Sequence, residues 1–351
     1  MIKITTSLYK SEYRFAFRYL AGFLPAILVL YGNLHGGIAS SANMVFTLGL
    51  LVLIDLLLPN NSSQNPELDH AIPDFWLILA VVVNVLCFGS LLYGIGCGQI
   101  AGSHRWTAAI STGLNSGLLG LNTAHELIHR KQRFFRFLGV CNLFVSFYSH
   151  FFIEHRLGHH ARVATEKDPA TARLGEGFYR FLVRTIPGQW WSAFQIELRK
   201  PSLKIGDHRF NFVVITGLLE FGFFAVLFYL GKWLAFAYLL QSLVAIFLLE
   251  YVNYIEHYGL LRNDGEKLSA VHAWQSDSIA SRFSLFELSR HSHHHLQASV
   301  PYPELESMES PHRLPFGYFG MFYIALCPPL WFWMMDKRIV HYSLVHANTV
   351  A

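Results

Sequence analysis

The chain has 351 residues, of which 53% are hydrophobic and only 14% charged, with a mean hydropathy of +0.33. A soluble domain carries about 25% charged residues, so this composition excludes an ordinary water-soluble globule and points to the membrane. The net charge of +4 forms no basic stripe interleaved with aromatics, which argues against nucleic-acid binding. Cys87, Cys97, Cys141 and Cys327 include no Cys-x-x-Cys pair, which excludes a disulfide framework or an iron–sulfur module.

In chain order, apolar runs lie near residues 15–34, 42–58, 75–96, 107–124, 210–231 and 233–255. Each can cross a hydrocarbon core of about 30 Å, so six spanning helices are predicted. The first run continues too far to be a cleaved secretory signal. Of 27 Lys and Arg, four fall by the start of the first span, fourteen between the fourth and fifth, and seven after the sixth; only Arg105 and Lys232 remain. The positive-inside rule then puts both termini and the long polar regions in the cytoplasm. The loop Asn60 to Asp69 falls on that side too.

The expected architecture is an all-α integral membrane protein, a single domain over residues 1–351, with a cytoplasmic helical cap formed by residues 125–209 and 256–351. Apolar stretches near 133–150 and 316–335 are awkward as spans, the second being broken by Pro328-Pro329. They are expected at the interface, closing over the cap.

Nineteen histidines are concentrated in the cap. "NTAHELIHR" carries His125 and His129, "EHRLGHH" carries His155, His159 and His160, "NYIEHYG" carries His257, and "RHSHHH" carries His291, His293, His294 and His295. Residues four apart share a helix face, which suits His125 with His129, His155 with His159, and His291 with His295. His294 is near enough in angle to join the last pair. Adjacent histidines differ by about 100°, so each double histidine could serve two metals, which favours a dinuclear site. His293 points away, and His35, His70, His104, His150, His208, His272, His312, His341 and His346 read as surface or packed residues.

Read alone, His125-Glu126-x-x-His129 is a zinc-protease signature. Such a site needs three protein ligands and an open position, whereas nine candidate imidazoles gather here. A nitrogen-rich dinuclear site favours redox-active iron. Glu126, Glu154 and Glu256 abut candidate ligands and could accept their second N–H. Glu250 and Glu220 are ionisable groups within membrane helices, and so candidates for function.

The four histidine motifs, with "EHRLGHHARVATEKDPATAR" and "LSRHSHHH" in full, resemble those of the membrane-bound alkane 1-monooxygenases and the xylene monooxygenase hydroxylase component, within the histidine-rich membrane desaturases and hydroxylases. "NPELD" and "CPPLWFWMM" add to the resemblance, which covers most of the chain. It departs at His293, where the family commonly has Asp, at Glu166, where it has Pro, and in "LQASVPYPEL".

The resemblance implies two non-heme iron ions held by His125, His129, His155, His159, His160, His257, His291, His294 and His295. Asp168 and Glu176 enter through motif position. It implies hydroxylation of a terminal methyl group on a medium-chain alkane or alkyl-aromatic with O2, in a bacterial inner membrane. Two electrons would come from rubredoxin, or a similar soluble donor, and an NAD(P)H-dependent reductase. Arg130, Lys131, Arg133 and Arg136 are the expected docking cluster. Leu114, Leu118 and Leu121 project within about 40° of His125 and are the expected substrate tunnel, with Gly113, Gly117 and Gly120 as a helix-packing face. A membrane fatty-acyl desaturase, an intramembrane zinc protease and, remotely, a transporter are the alternatives.

Overall fold

The computed structural model describes residues 15–200, 211–263, 265–309 and 312–349, with side chains through residue 339. His208 and the basic residues Lys3, Lys10 and Arg14 lie outside the described residues. Among those described there are helices but no strand; extended pairing is confined to isolated bridges at Asn60 with Ser278 and Gln275 with Arg313.

The helices are α1 (Phe17–His35), α2 (Gly37–Leu57), α3 (Ala71–Gly96), α4 (residues 104–129), α5 (Arg133–Val145), α6 (residues 151–162), α7 (Phe178–Leu198), α8 (Phe212–Leu230) and α9 (Lys232–His257). They continue with α10 (Ile279–Ser284), α11 (His291–Leu296), α12 (Tyr318–Leu326) and α13 (Pro328–Thr349). Among the described residues α1, α2, α3, α8 and α9 are long and apolar enough to cross a membrane. The protein is therefore a multi-pass membrane protein. The α1–α2 turn depends on Gly36, which has φ +67° and lies where a Cβ would stand 2.5 Å from the Gln99 carbonyl.

The fourth expected span comes out differently. Residues 107–124 are helical, but α4 does not pass as a span on composition. Nearly all of it is buried by other helices, including Ser111, Thr112, Asn115, Ser116, Asn122 and Thr123. A helix shielded from lipid can carry polar groups if they find partners. Asn115 donates to Asn84 (3.1 Å), Asn84 to Asn142 (3.2 Å), and Asn142 to Thr123 Oγ1 (3.0 Å) and to the Gly120 carbonyl (3.1 Å). That carbonyl belongs to a π-helical turn, Ser116–Leu121, within α4. The glycine face behaves as a packing face: a Cβ on Gly113 or Gly117 would collide with Gln241 or Leu248 of α9, and one on Gly120 with Asn84.

The stretch around 316–335 is also not a simple interfacial helix. α12 and α13 are together long and apolar enough to cross a membrane but are bent by 119° at their junction, so they form either one broken span or a re-entrant pair. Pro328 and Pro329 lack N–H donors and start a new helix rather than extending the old one. Trp331 and Met335 pack into the cluster of Tyr254, Tyr258 and Phe178 at the end of α9.

That end of the bundle also receives loop 60–69. Arg282 Nη2 donates to Asn65 Oδ1 (2.6 Å), Arg290 Nη2 to the Ser63 carbonyl (2.6 Å), and Asn61 N to the Asp277 carbonyl (2.7 Å). The loop and the histidine-bearing segments therefore share one end of the molecule, as their expected common side requires.

Candidate metal centre

Four segments deliver the nine histidines to one place. α4 carries His125 and His129 on its last turns, α6 carries His155, His159 and His160, α9 ends on His257, and α11 carries His291, His294 and His295. They sort into two groups, each with ligand atoms within 4.8 Å of one another: His125, His129, His155, His160 and His294, and His159, His257, His291 and His295.

One pairing differs from the helical-wheel expectation. His155 and His159 fall in different groups, while His155 joins His160 at an Nε2–Nε2 distance of 3.0 Å. The cause is local: Glu154–His159 is a π-helical turn, whose repeat is i to i+5. That repeat aligns 155 with 160 and turns 159 toward the second group. His294 likewise leaves the 291/295 pair and meets His160 at 3.2 Å. Both double histidines serve two groups, as their angular offset required.

The nitrogens fit a cation better than they fit each other. His291 Nε2 lies 3.2 Å from His257 Nε2 and 2.8 Å from His295 Nε2. Burial, then neighbouring imidazoles, hold His155, His160, His291, His294 and His295 well below the ordinary imidazole range. Each is thus neutral, with one lone pair and one proton. The Nε2 atoms of His125, His129 and His159 are buried without a hydrogen-bond partner. Imidazole nitrogens about 2.1 Å from a metal are mutually spaced by about 3 Å, the spacing seen here. An all-imidazole set suits iron, zinc, copper or nickel. This is a metal site.

The carboxylates divide. Asp168 Oδ2 accepts from His159 Nδ1 at 2.8 Å and from Thr171 Oγ1 at 2.7 Å. Burial alone would raise its pKa, but His159 and these hydrogen bonds hold it below the usual carboxylate range. Glu256 accepts from the Tyr318 hydroxyl (2.7 Å) and sets its other oxygen 3.1 Å from His291 Nε2. Glu126, Glu154, Glu176 and Glu250 touch no histidine of either group. Glu126 is taken by Arg130 (3.1 Å) and the Tyr302 N–H (3.3 Å), which leaves it poorly placed as a zinc-protease base. Glu154 pairs with Arg162 (3.0 Å), and burial lifts it to about 7. Glu176 pairs with both Nε and Nη2 of Arg184 (2.7 Å each), whose Nη1 and Nη2 also donate to the Pro169 and Thr171 carbonyls. Glu250 collects Tyr148, Thr185, Gln189 and Asn253. His293 stays apart, accepting from the Glu306 N–H (2.8 Å).

An apolar cavity ends on His125, His155, His291 and Glu256. Leu118 lines it; Leu114 and Leu121 do not. The π-turn between 116 and 121 breaks the constant 100° step that aligned Leu114 with His125. Leu121 packs instead with Ile128, Leu143 and Phe151. The far wall comes from α9: Leu248, Val252 and Glu256 at four-residue spacing, a stripe the same rule could have found by counting back from Glu256. Tyr318 was not legible, since only the packing of α12 on α9 brings it to Glu256.

Comparison with known proteins follows the same lines. Residues 103–326 match the fatty acid desaturase family. The alkane 1-monooxygenase of Ectopseudomonas oleovorans is 33% identical, covering 95% of this chain and 87% of the relative. That of Acinetobacter baylyi is 38% identical over 250 residues, 68% of this chain and 61% of the relative. The chain belongs to the alkane 1-monooxygenase branch of the fatty acid desaturase family. The xylene/toluene monooxygenase hydroxylase component of Pseudomonas putida is 26% identical over 83% of this chain and 80% of its own length. Membership makes the chain an oxygen-dependent hydroxylase, and the two histidine groups are its metal site.

Proposed function

We propose that the protein hydroxylates the terminal methyl group of an apolar substrate, a medium-chain alkane or an alkyl-aromatic, to a primary alcohol. One observation carries this reading: an apolar cavity ends on two adjoining all-histidine groups. The nine histidines would hold two iron ions, which with O2 and two electrons would supply an oxidant able to take hydrogen from an unactivated C–H bond. One oxygen atom enters the alcohol and the other leaves as water with two protons.

The chain's own residues do the rest. Leu118, Leu248, Val252, Phe319 and Phe322 offer an alkyl chain no polar partner, so only its length and shape are read. Leu285 and Leu288 line the same cavity as His291 and add to its apolar wall. Asp168 fixes the ring of His159 with its Nε2 lone pair turned inward. The Tyr318 hydroxyl holds Glu256 at the cavity's metal end, where it is the only carboxylate lining the space.

The electrons come from a separate carrier, rubredoxin or a protein like it, with an NAD(P)H-dependent reductase. Of the expected docking residues, Arg130 is occupied by Glu126 and Asp74, while Lys131 and Arg133 are exposed. With the half-buried Arg136, these two are the charges left to attract an acidic partner. Charge asymmetry supports a cytoplasmic position for the histidine end, and the likeness to bacterial alkane 1-monooxygenases supports a bacterial inner membrane for the whole chain, read as one membrane-bound unit.

The test is product analysis by gas chromatography and mass spectrometry. Iron-replete cells co-expressing rubredoxin and its reductase are fed octane, dodecane and p-xylene, with His159→Ala as control. A primary or benzylic alcohol that disappears in the control is expected. Unsaturated lipid in place of alcohol would transfer the protein to the desaturases; no product from iron-loaded protein would overturn the substrate class.

A further inference from the structure

A second cavity, about 400 Å³, lies between α7, α8 and the segment leading into α6. Its walls are mostly apolar, with Ile186, Val213 and the exposed Trp190 and Phe221 among them. Its lining also includes two polar side chains with hydrogen-bonding capacity to spare. Glu220, buried within α8, receives the Ser149 N–H (3.0 Å) and hydroxyl (2.6 Å), both on Oε1, so neither bond uses Oε2. His150 is 8% exposed, and its Nε2 is buried with no hydrogen-bond partner. Leaving such groups desolvated is costly, so a ligand that enters here must bring hydrogen bonds.

The cavity adjoins the metal centre without being part of it. Tyr148, on its wall, stacks on Phe151 at 6.1 Å; Phe151 lines the substrate cavity and stacks on the His155 ring at 4.6 Å. One aromatic layer thus separates the two spaces.

We propose that this cavity is a binding site for a straight-chain primary alcohol, the holding site through which product leaves the metal centre for the lipid. A hydroxyl both donates and accepts, so with the proton on His150 Nε2 it accepts from that N–H and donates to Glu220 Oε2, satisfying both groups together. An alkane would strand both groups, which makes the site selective for product over substrate. The role in product release rests on the hydroxylase reading; the binding of alcohol does not.

Gly217 supplies the test, because it lines the cavity and a Cβ there meets nothing within 4 Å. Gly217→Leu therefore adds side-chain volume to the cavity from an unobstructed Cβ while leaving Glu220 and Ser149 themselves in place. Iron-loaded protein in lipid nanodiscs is photolabelled with a dodecanol bearing a diazirine near the hydroxyl, and the labelled peptides are mapped by mass spectrometry. Labelling concentrated at residues 147–150, 186–190 and 213–221 is expected, competed by 1-dodecanol but not by dodecane. It should fall at least tenfold in Gly217→Leu, with metal content unchanged. Label spread evenly over lipid-facing helices, equal competition by dodecane, or full labelling of Gly217→Leu would each overturn the site. Alcohol produced in cells without this labelling removes the holding site alone; labelling without alcohol production removes the hydroxylase reading alone.

Discussion

The two histidine groups share α6 and α11, with α4 completing one and α9 the other, yet they are held by different means. In the group of His159, His257, His291 and His295, Asp168 fixes one ring and Glu256 faces another. Among the described residues no carboxylate hydrogen-bonds to any ring of the other group, and two of its members, His129 and His160, are only half-buried. The first arrangement is set by hydrogen bonds, the second by backbone alone, through the π-turn that aligns His155 with His160. A metal held by oriented, carboxylate-backed imidazoles is bound more tightly than one held by imidazoles without such backing. The four-histidine position should therefore keep its ion longer.

The largest expected effect tests whether the groups are separate. His291→Ala and His294→Ala should each lower iron from about two ions per chain to about one by mass spectrometry, with product at background in both. In the intact protein, a chelator should strip iron in two phases, and His294→Ala should lack the fast one. A single phase, or loss of both ions in either variant, would mean one shared site.

Next comes the bracing carboxylate. Asp168→Asn keeps the shape but weakens the orientation of His159, and the loss in iron affinity or turnover should be about 10- to 100-fold. Glu126→Gln, beside a ligand in sequence but tied to Arg130, should change turnover less than about threefold. The pair separates adjacency along the chain from contact in space, and equal effects would remove the contrast between the groups.

That distinction also marks what the sequence could reveal. Counting imidazoles and their angular offsets singled out nine histidines that the fold brings together, because each box is short enough that a helical projection is nearly right. It misassigned partners inside "EHRLGHH", since the π-turn depends on how α6 packs and no residue pattern announces it. The same cause displaced Leu114 from the expected leucine tunnel, since it was placed by carrying one angular step across a second π-turn, whereas Leu121 turns away into the packing against α5. Residues 107–124 were read as a spanning helix from windowed apolarity, which does not distinguish a helix against lipid from one enclosed by helices. Carboxylates were sought beside the histidines, whereas the one bonded to His159 lies nine residues on, across a turn closed by Thr171.

A smaller effect is expected in the cavity. Leu118→Trp should shorten the preferred alkane by a few carbons in competition assays with octane and dodecane, because its side chain faces the space ending on His125. Leu121→Met, a volume-conserving change outside that space, should leave the chain-length profile unaltered. A shift with Leu121→Met, or none with Leu118→Trp, would put the channel on another face of α4.

The smallest effect concerns how the braced group is anchored. Glu176 and Arg184 tie down the loop that carries Asp168. Burial alone would raise the pKa of Glu176, but Arg184 and the Arg173 N–H outweigh it and hold the carboxyl below its ordinary value. A depressed folded-state pKa contributes stability that is fully present above the unfolded value of about 4.3 and is lost as pH falls through the folded one. Glu176→Gln should therefore lower the thermal midpoint at pH 7 by the equivalent of about 1 kcal/mol, since Arg184 is partly solvated. The difference from the unmodified chain should shrink as pH drops below about 4. Because the loop holds Asp168 rather than any ligand of the five-histidine group, the slow phase of iron release should quicken in this variant while the fast phase stays put. If the fast phase moved instead, the bracing would belong to the wrong group.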